Sequence, residues 1–174
     1  MRQRGYFGIG AEEISKPMNL GALMRTAHAF GASFFFTLNA HPKVRETYNS
    51  DTSRSFDHMP YYPWASVEEL RLPKGCALVG VELTDDAVEL PRFMHPQAAA
   101  YVLGRERGSL SPELIARCAH VVKIPTKFCV NVGLAGAIVM YDRLIALGGY
   151  PARPIMPGGP KLAMSDAPGR PNQK

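Results

Sequence analysis

Four short segments of the chain are apolar at nearly every position, and they constrain the fold more than any other feature. They are Ser33–Leu38, Ala77–Leu83, Ala99–Leu103 and Val121–Ile124. A strand that is apolar throughout must be covered on both faces, as happens in parallel sheets flanked by helices. Tyr6–Ile9 is predicted to form a further short strand.

A helical pattern follows the first strand. Apolar side chains recur at helical spacing in this order: Leu20, Leu23, Met24, Ala27 and Phe30. Asn19 is predicted to cap the amino terminus of this helix, and Gly31 is predicted to end it. Arg25 lies on the opposite, polar side.

Further helices alternate with the strands. Short helices are predicted to begin at Ser66 and to span Pro112–Cys118, and a long helix is predicted over Asn131–Leu147. Residues 39–63 are predicted to form a long loop. This alternation predicts an α/β domain built on an open, mostly parallel sheet with helices on both faces.

The last helix is apolar nearly all round, and one side carries only the small residues Gly133, Gly136 and Ala137. A helix of this kind is buried on every side, and small side chains allow another backbone to approach closely. We expect a homodimer in which a second copy covers part of this helix. The alternative is a central helix within a monomer.

Composition excludes several classes of protein. Apolar residues are 46% of the 174 and charged residues 20%, as in globular domains. No apolar run approaches the roughly 18 residues of a membrane span, and the three cysteines and five histidines lack metal-ligand spacing. We therefore expect a cytoplasmic protein with no metal and no membrane association. The net charge of +5 permits nucleic-acid binding.

The chain is predicted to consist of one domain, residues 1–150, and a tail, residues 151–174. The tail contains six prolines and three glycines, and its four basic residues against one acidic residue give a net charge of +3. A segment of this composition buries too little surface to offset its ordering entropy. We expect a mobile tail that follows the domain.

Polar and glycine-rich stretches follow three of the predicted strands: Thr84–Asp86, Gly104–Ser111 and Pro125–Asn131. In open parallel sheets, ligands bind beyond the carboxyl ends of the strands, so a binding site is predicted there. The sequence contains no nucleophile-elbow motif, no P-loop and no dinucleotide fingerprint. A nucleotide-dependent oxidoreductase stays an alternative, although it lacks its motif.

Three motifs occur in order along the chain. The first is Asn19-Leu-Gly-Ala-Leu-Met-Arg25-Thr-Ala, the second is Leu103-Gly-Arg-Glu106-Arg-Gly-Ser-Leu-Ser, and the third combines Ile124-Pro with Cys-Val-Asn131. Together they resemble the SpoU/TrmH family of RNA ribose methyltransferases, within the SPOUT superfamily. The resemblance extends from about Tyr6 to Tyr150.

The resemblance implies a fold, a cofactor and a reaction. The carboxyl-terminal part of the sheet would be tied in a trefoil knot, and the loops of that knot would bind S-adenosylmethionine. The reaction would be methyl transfer to a ribose 2′-hydroxyl of RNA. The protein would be a homodimer with its site near the dimer interface.

The resemblance also implies roles for particular residues. Arg25 would be the catalytic arginine, Asn19 would brace it, and Glu106 would hold Arg25 or Asn131 in place. The cofactor would be bound by Val81, Glu82, Leu103, Gly104, Ile124, Cys129 and Val130. A guanidinium is a poor base because its pKa exceeds about 12, so we expect Arg25 chiefly to bind a phosphate and stabilise the developing alkoxide.

The chain departs from the family pattern in its third motif, which usually reads Ser-Leu-Asn where this sequence has Cys129-Val130-Asn131. A thiol is a weaker hydrogen-bond donor than a hydroxyl. The first motif begins by residue 19, which predicts a minimal form without an extra RNA-binding domain. That form favours tRNA over rRNA, with the anticodon wobble ribose as one candidate. The alternative function is a catalytically inactive RNA-binding module.

Overall fold

The computed structural model describes residues 5–44, 59–105, 108–148 and 157–158. Within these ranges the strands are β1 Tyr6–Glu12, β2 Phe34–Leu38, β3 Tyr61–Trp64, β4 Ala77–Val81, β5 Val88–Glu89, β6 Ala98–Leu103 and β7 His120–Lys123. The α-helices are α1 Pro17–Ala29, α2 Pro112–Arg117 and α3 Val132–Ala146. A single 3-10 turn covers Leu90–Arg92.

The strands form one sheet in the order β3-β2-β1-β6-β4-β7-β5. Each pairing between neighbours is parallel. The predicted parallel sheet is confirmed. Because all strands point the same way, the segments that leave their carboxyl ends gather at one edge of the sheet.

Helices cover both faces, as predicted. Phe7 and Ile9 of β1 are fully buried in one hydrophobic core, together with α1 and α3. Phe34 and Phe36 of β2 lie in a second core on the other face, where Leu114 of α2 packs. Successive side chains of a strand point to opposite faces, so strands that are apolar throughout supply both cores.

The small side of α3 packs against α1 of the same chain. A Cβ atom built on Gly136 would lie 2.3 Å from Cδ1 of Leu23, and one on Gly133 would lie 3.5 Å from Cβ of Ala22. The close backbone approach predicted for these glycines is therefore made within the chain. The helix is not covered on every side, since Leu134 is 62% exposed.

The start of α1 differs from the prediction. The helix begins at Pro17, Lys16 is the extended residue before it, and Asn19 lies in the first turn instead of at the cap. Proline suits the first helical position because its φ is already helical and the amide it lacks would have no partner there. The helix ends as predicted, with Gly31 at a positive φ of 76°.

Residues 45–58 of the predicted loop over 39–63 lie outside the described residues. The prediction was wrong at residues 42–44, which are helical, and at its end, where Tyr61–Trp64 forms β3. Proline has no backbone N–H to donate, so Pro63 disfavours a strand inside a sheet. However, β3 is an edge strand, and one side of an edge strand needs no hydrogen-bonding partner. The helix predicted from Ser66 was also wrong, because this segment forms turns. Strand β1 extends to Glu12, three residues past its predicted end at Ile9.

A buried polar cluster lies near the amino ends of β1 and β6. His95 is 3% exposed, and its Nδ1 and Nε2 lie 2.6 Å from the Tyr101 hydroxyl and 2.9 Å from a carboxylate oxygen of Asp142. Arg143 is fully buried and donates to the carbonyls of Tyr6 and Gln97 at 3.1 and 2.8 Å. We call His95, Tyr101, Asp142 and Arg143 the amino-edge cluster. Its hydrogen bonds link α3 to the sheet at the edge opposite the predicted site.

The trefoil knot stays a prediction. The tail predicted for residues 151–174 lies outside the described residues, apart from positions 157 and 158. Among the described helices, none is both long and apolar enough to cross a membrane.

Candidate functional site

A cavity of about 280 Å³ lies beyond the carboxyl ends of the central strands. Three of the segments that form its walls are the end of β4, the loop that follows β6, and the loop between β7 and α3, and the start of α1 contributes as well. The first three are the strand ends at which a site was predicted. The parallel order of the sheet brings them together because β6, β4 and β7 are neighbours.

All of the predicted cofactor-binding residues line this cavity: Val81, Glu82, Leu103, Gly104, Ile124, Cys129 and Val130. The predicted catalytic residues Asn19 and Asn131 line it as well. The structure thus places these side chains together, and their individual roles stay predictions.

Glu82 joins two walls of the cavity. One carboxylate oxygen accepts the backbone N–H of Leu83 at 2.9 Å, and the other accepts that of Leu110 at 2.8 Å. Gly104 lies beside this bridge, and a Cβ there would come 3.4 Å from Oε2 of Glu82 and 3.3 Å from the Leu110 nitrogen. The missing side chain lets the loop after β6 close on the end of β4.

Asn131 links the start of α3 to α1. Its Oδ1 accepts the backbone N–H of Gly133 at 2.8 Å, which caps the helix at its predicted start. Its Nδ2 donates to Oδ1 of Asn19 at 3.1 Å. The side chains of the first and third motifs therefore meet at the cavity wall, although Asn19 is not a cap.

Glu12 braces the loop after β6 and was missed at the sequence level. It is 5% exposed, and its carboxylate accepts from the backbone N–H and the hydroxyl of Ser111 at 2.7 and 2.5 Å. The available signal was a pair of carboxylates directly after an apolar strand. Ending β1 at Ile9 hid that signal, because Glu12 and Glu13 then fell inside a loop.

Lys16 and Arg105 also line the cavity and were likewise missed. Arg105 donates to Oε2 of Glu13 at 2.7 Å, which ties the loop after β6 to the loop after β1. Both cations line a site that was predicted mainly from apolar strand ends.

Of the predicted catalytic residues that the structure describes, Arg25 is not brought into this cavity. Arg25 is exposed on α1, outside the residues that line the cavity. Glu106 lies outside the described residues. The catalytic assignment of both stays a prediction.

The cysteines differ in environment. Burial raises the pKa of the Cys118 thiol to about 11 and also raises that of Cys76. Cys129 is exposed at the cavity. Among the described residues, no group of three or more histidine, cysteine or acidic side chains is placed to hold a metal ion.

A model of the family described as SpoU rRNA Methylase matches residues 7–141, which is most of the chain. The chain belongs to the SpoU family. This confirms the family indicated by the three motifs.

Named relatives modify tRNA. The chain is 27% identical over 139 residues to a tRNA (guanosine(18)-2′-O)-methyltransferase of Thermus thermophilus, which covers 75% of this chain and 70% of that protein. It is also 27% identical over 150 residues to mouse tRNA (guanosine(18)-2′-O)-methyltransferase TARBP1. That alignment covers 77% of this chain but spans only 9% of the mouse protein.

Solved structures of proteins described through RNA methylation share the fold. An AdoMet-bound rRNA methyltransferase from Sinorhizobium meliloti superposes with a TM-score of 0.70 at 23% identity, over 83% of this chain and 58% of that one. A structure described as giving insights into the 2-OH methylation of C/U34 on tRNA superposes with a TM-score of 0.67 at 20% identity. The superposition covers 86% of this chain and 95% of that one. The predicted α/β fold is confirmed.

Proposed function

We propose that this SpoU-family chain transfers a methyl group from S-adenosylmethionine to a ribose 2′-hydroxyl of RNA. The observation that carries the proposal is the cavity at the carboxyl edge of the sheet. It collects residues of all three motifs in a chain whose family is one of methyltransferases.

The residues present fit the proposed cofactor. Val81, Leu103 and Ile124 provide apolar strand ends for a neutral purine. Glu82 would add carboxylate oxygens that can accept hydrogen bonds from hydroxyl groups of the cofactor. S-adenosylmethionine supplies an electrophilic methyl group carried on a sulfonium. AdoMet-bound structures of related methyltransferases support this assignment.

On the acceptor side, the chain must position a hydroxyl and stabilise the charge that develops as its proton leaves. Arg25 is exposed on α1, where an RNA phosphate can reach it. We assign it the phosphate contact and stabilisation of the alkoxide, with Asn19 and Asn131 fixing the adjoining cavity wall. Glu106 keeps its proposed bracing role.

We favour tRNA as the substrate, in the cytoplasm. The curated relatives carry names of enzymes that act on guanosine 18 of tRNA, and one structural relative concerns position 34. Because these positions differ, the relatives support the class of RNA rather than the nucleotide. The basic tail is proposed to add phosphate contacts.

We also propose a homodimer formed through the exposed side of α3. The apolar side chains there follow one helical stripe and are exposed as follows: Leu134 62%, Ile138 40%, Tyr141 46% and Ile145 37%. A contiguous apolar surface of this kind is typical of an interaction site. A second copy of the chain is the proposed partner.

Isothermal calorimetry with S-adenosylhomocysteine tests the cofactor site. About one site per chain is expected for the wild type. Cys129→Trp should abolish binding, because an indole at this exposed cavity position fills the space. Lys127→Trp is the matched control, since Lys127 is exposed two residues away and does not line the cavity. Absence of binding by the wild type, or unchanged binding by Cys129→Trp, contradicts the proposed site.

A further inference from the structure

A second cavity, of about 410 Å³, lies beyond the carboxyl ends of β1 and β2. Its polar lining consists of Glu13, Ser15, Lys16, Asn39, His41 and Arg105. Lys16 and Arg105 line the first cavity too. The two cavities are therefore neighbours that share a cationic wall.

The charge of this lining suits an anionic ligand. Lys16 and Arg105 are cations, and Glu13 is the single carboxylate among the lining residues. Arg105 engages that carboxylate through one terminal nitrogen at 2.7 Å and keeps its side chain half exposed. A guanidinium has five N–H donors in a planar fork that matches phosphate oxygens.

The backbone on both sides of the cavity is strained. Glu13 and Asn39 have φ values of 50° and 48°, in the left-handed region that non-glycine residues seldom adopt. Their amides donate to the carbonyls of Leu38 and Trp64 at 2.8 and 3.0 Å, which holds both residues at the strand ends. Strain of this kind persists where the surrounding structure enforces it, and such positions cluster at ligand sites.

We propose that the second cavity binds the nucleotide next to the acceptor in the RNA, with the phosphate of that nucleotide at Lys16 and Arg105. This inference rests on the proposed function. Transfer between two ligands requires that the reacting groups be held in contact, and the shared wall places this cavity directly beside the cofactor cavity. Asn39 and His41 then contact the nucleotide and contribute to the choice of substrate.

Substitutions of Asn39 and His41 test the second cavity alone, because these residues line the second cavity and not the first. Asn39→Asp keeps the side-chain shape and tolerates the left-handed backbone, but it replaces the Nδ2 donor to Glu13 with a negative charge that repels phosphate. His41→Gln removes the ring. Lys43→Gln is the matched control: Lys43 is exposed two residues after His41, lies outside both linings, and donates its backbone N–H to Nδ1 of His41.

The experiment measures the affinity of the full chain for unmodified tRNA transcripts by filter binding, and for S-adenosylhomocysteine by calorimetry. The Asn39→Asp/His41→Gln double variant should bind tRNA about tenfold more weakly and bind S-adenosylhomocysteine as the wild type does. Lys43→Gln should stay within about twofold of the wild type for both ligands, as expected of a peripheral charge.

Three outcomes overturn the inference: unchanged tRNA affinity of the double variant, an equal loss in Lys43→Gln, or a parallel loss of S-adenosylhomocysteine binding. Failure of the wild type to bind S-adenosylhomocysteine counts instead against the proposed function. In that case the comparison of tRNA affinities still decides the role of the second cavity.

Discussion

Asn131 makes two hydrogen bonds whose contributions can be separated. One caps α3 through Gly133, and the other reaches Asn19 on α1. The cap is a matter of stability, whereas the second bond fixes two motif side chains at the cavity.

Replacing Asn131 separates these effects. Asn131→Ser should keep the cap and lose the reach to Asn19, so the free energy of unfolding should stay near that of the wild type while turnover falls. Asn131→Ala should lose both and unfold about 1 kcal/mol more easily. Urea denaturation and methyl-transfer assays measure the two quantities. A fully active Asn131→Ser variant rules out a need for the link to Asn19.

Arg25 is a solvent-exposed side chain for which a catalytic role is proposed. An arginine that only meets solvent can be replaced at a cost of no more than about 0.5 kcal/mol and without loss of activity. If Arg25 stabilises the transition state, Arg25→Ala should lower kcat by about 100-fold or more and leave S-adenosylhomocysteine affinity intact. Arg25→Lys should recover little of the kcat that Arg25→Ala loses, because lysine lacks the planar, forked guanidinium group. Wild-type turnover in Arg25→Ala contradicts the assignment.

At the scale of the elements, the two sides of α3 meet different partners. Gly136 faces Leu23 of α1 within the chain, whereas Leu134 faces solvent. The interface must therefore be tested at Leu134, since a change at Gly136 reports on folding.

Matched substitutions on this helix should give opposite results. Gly136→Leu should overpack the α1–α3 contact and destabilise the fold by about 1–3 kcal/mol. Leu134→Glu should leave the fold intact and convert a dimer to monomers, because it places a charge in the apolar stripe. Analytical ultracentrifugation and thermal unfolding distinguish the two effects. A wild-type chain that sediments as a monomer at micromolar concentration, or a dimer that survives Leu134→Glu, argues against this interface.

Most elements could be predicted because their signals are local. Strands that are apolar throughout, the stop at Gly31 and the starts of α2 and α3 all depend on a few neighbouring residues. Strand β3 could not be predicted, because Pro63 is compatible with a strand only at the edge of a sheet. The order of strands that makes β3 an edge is a property of the whole fold.

The site was predictable to a similar extent. The motifs identified the residues around the cofactor cavity, since parallel strands deliver their carboxyl ends to one edge. The braces Glu12 and Arg105 depend on contacts across 99 and 92 positions of the chain. No local pattern reports partners so distant in sequence.

For the whole molecule, the amino-edge cluster makes stability depend on pH. Burial lowers the pKa of His95, although its hydrogen bond to Asp142 opposes this. The groups that face His95 are Tyr101, whose pKa burial raises to about 12, Asp142, and Arg143 beyond them. The imidazole is therefore neutral in the fold, accepting at Nδ1 from Tyr101 and donating from Nε2 to Asp142.

Because the pKa of His95 is lower in the folded than in the unfolded chain, the unfolded chain binds more protons between those two values. The contribution to stability is complete above the unfolded pKa of about 6.5 and is lost as the pH falls below it. His95→Gln should flatten the fall in melting temperature between about pH 7 and 5.5. The exposed His28→Gln should leave that fall in place, and a wild-type slope in His95→Gln refutes the prediction.

The measurement that tests the central claim most directly is the mapping of methyl groups on RNA incubated with the purified chain and S-adenosylmethionine. The account predicts methylation of a ribose 2′-hydroxyl in tRNA, at the nucleotide that is unmethylated in tRNA from a strain lacking the gene. Methylation of a base, or of no RNA at all by a chain that binds S-adenosylhomocysteine, would contradict it.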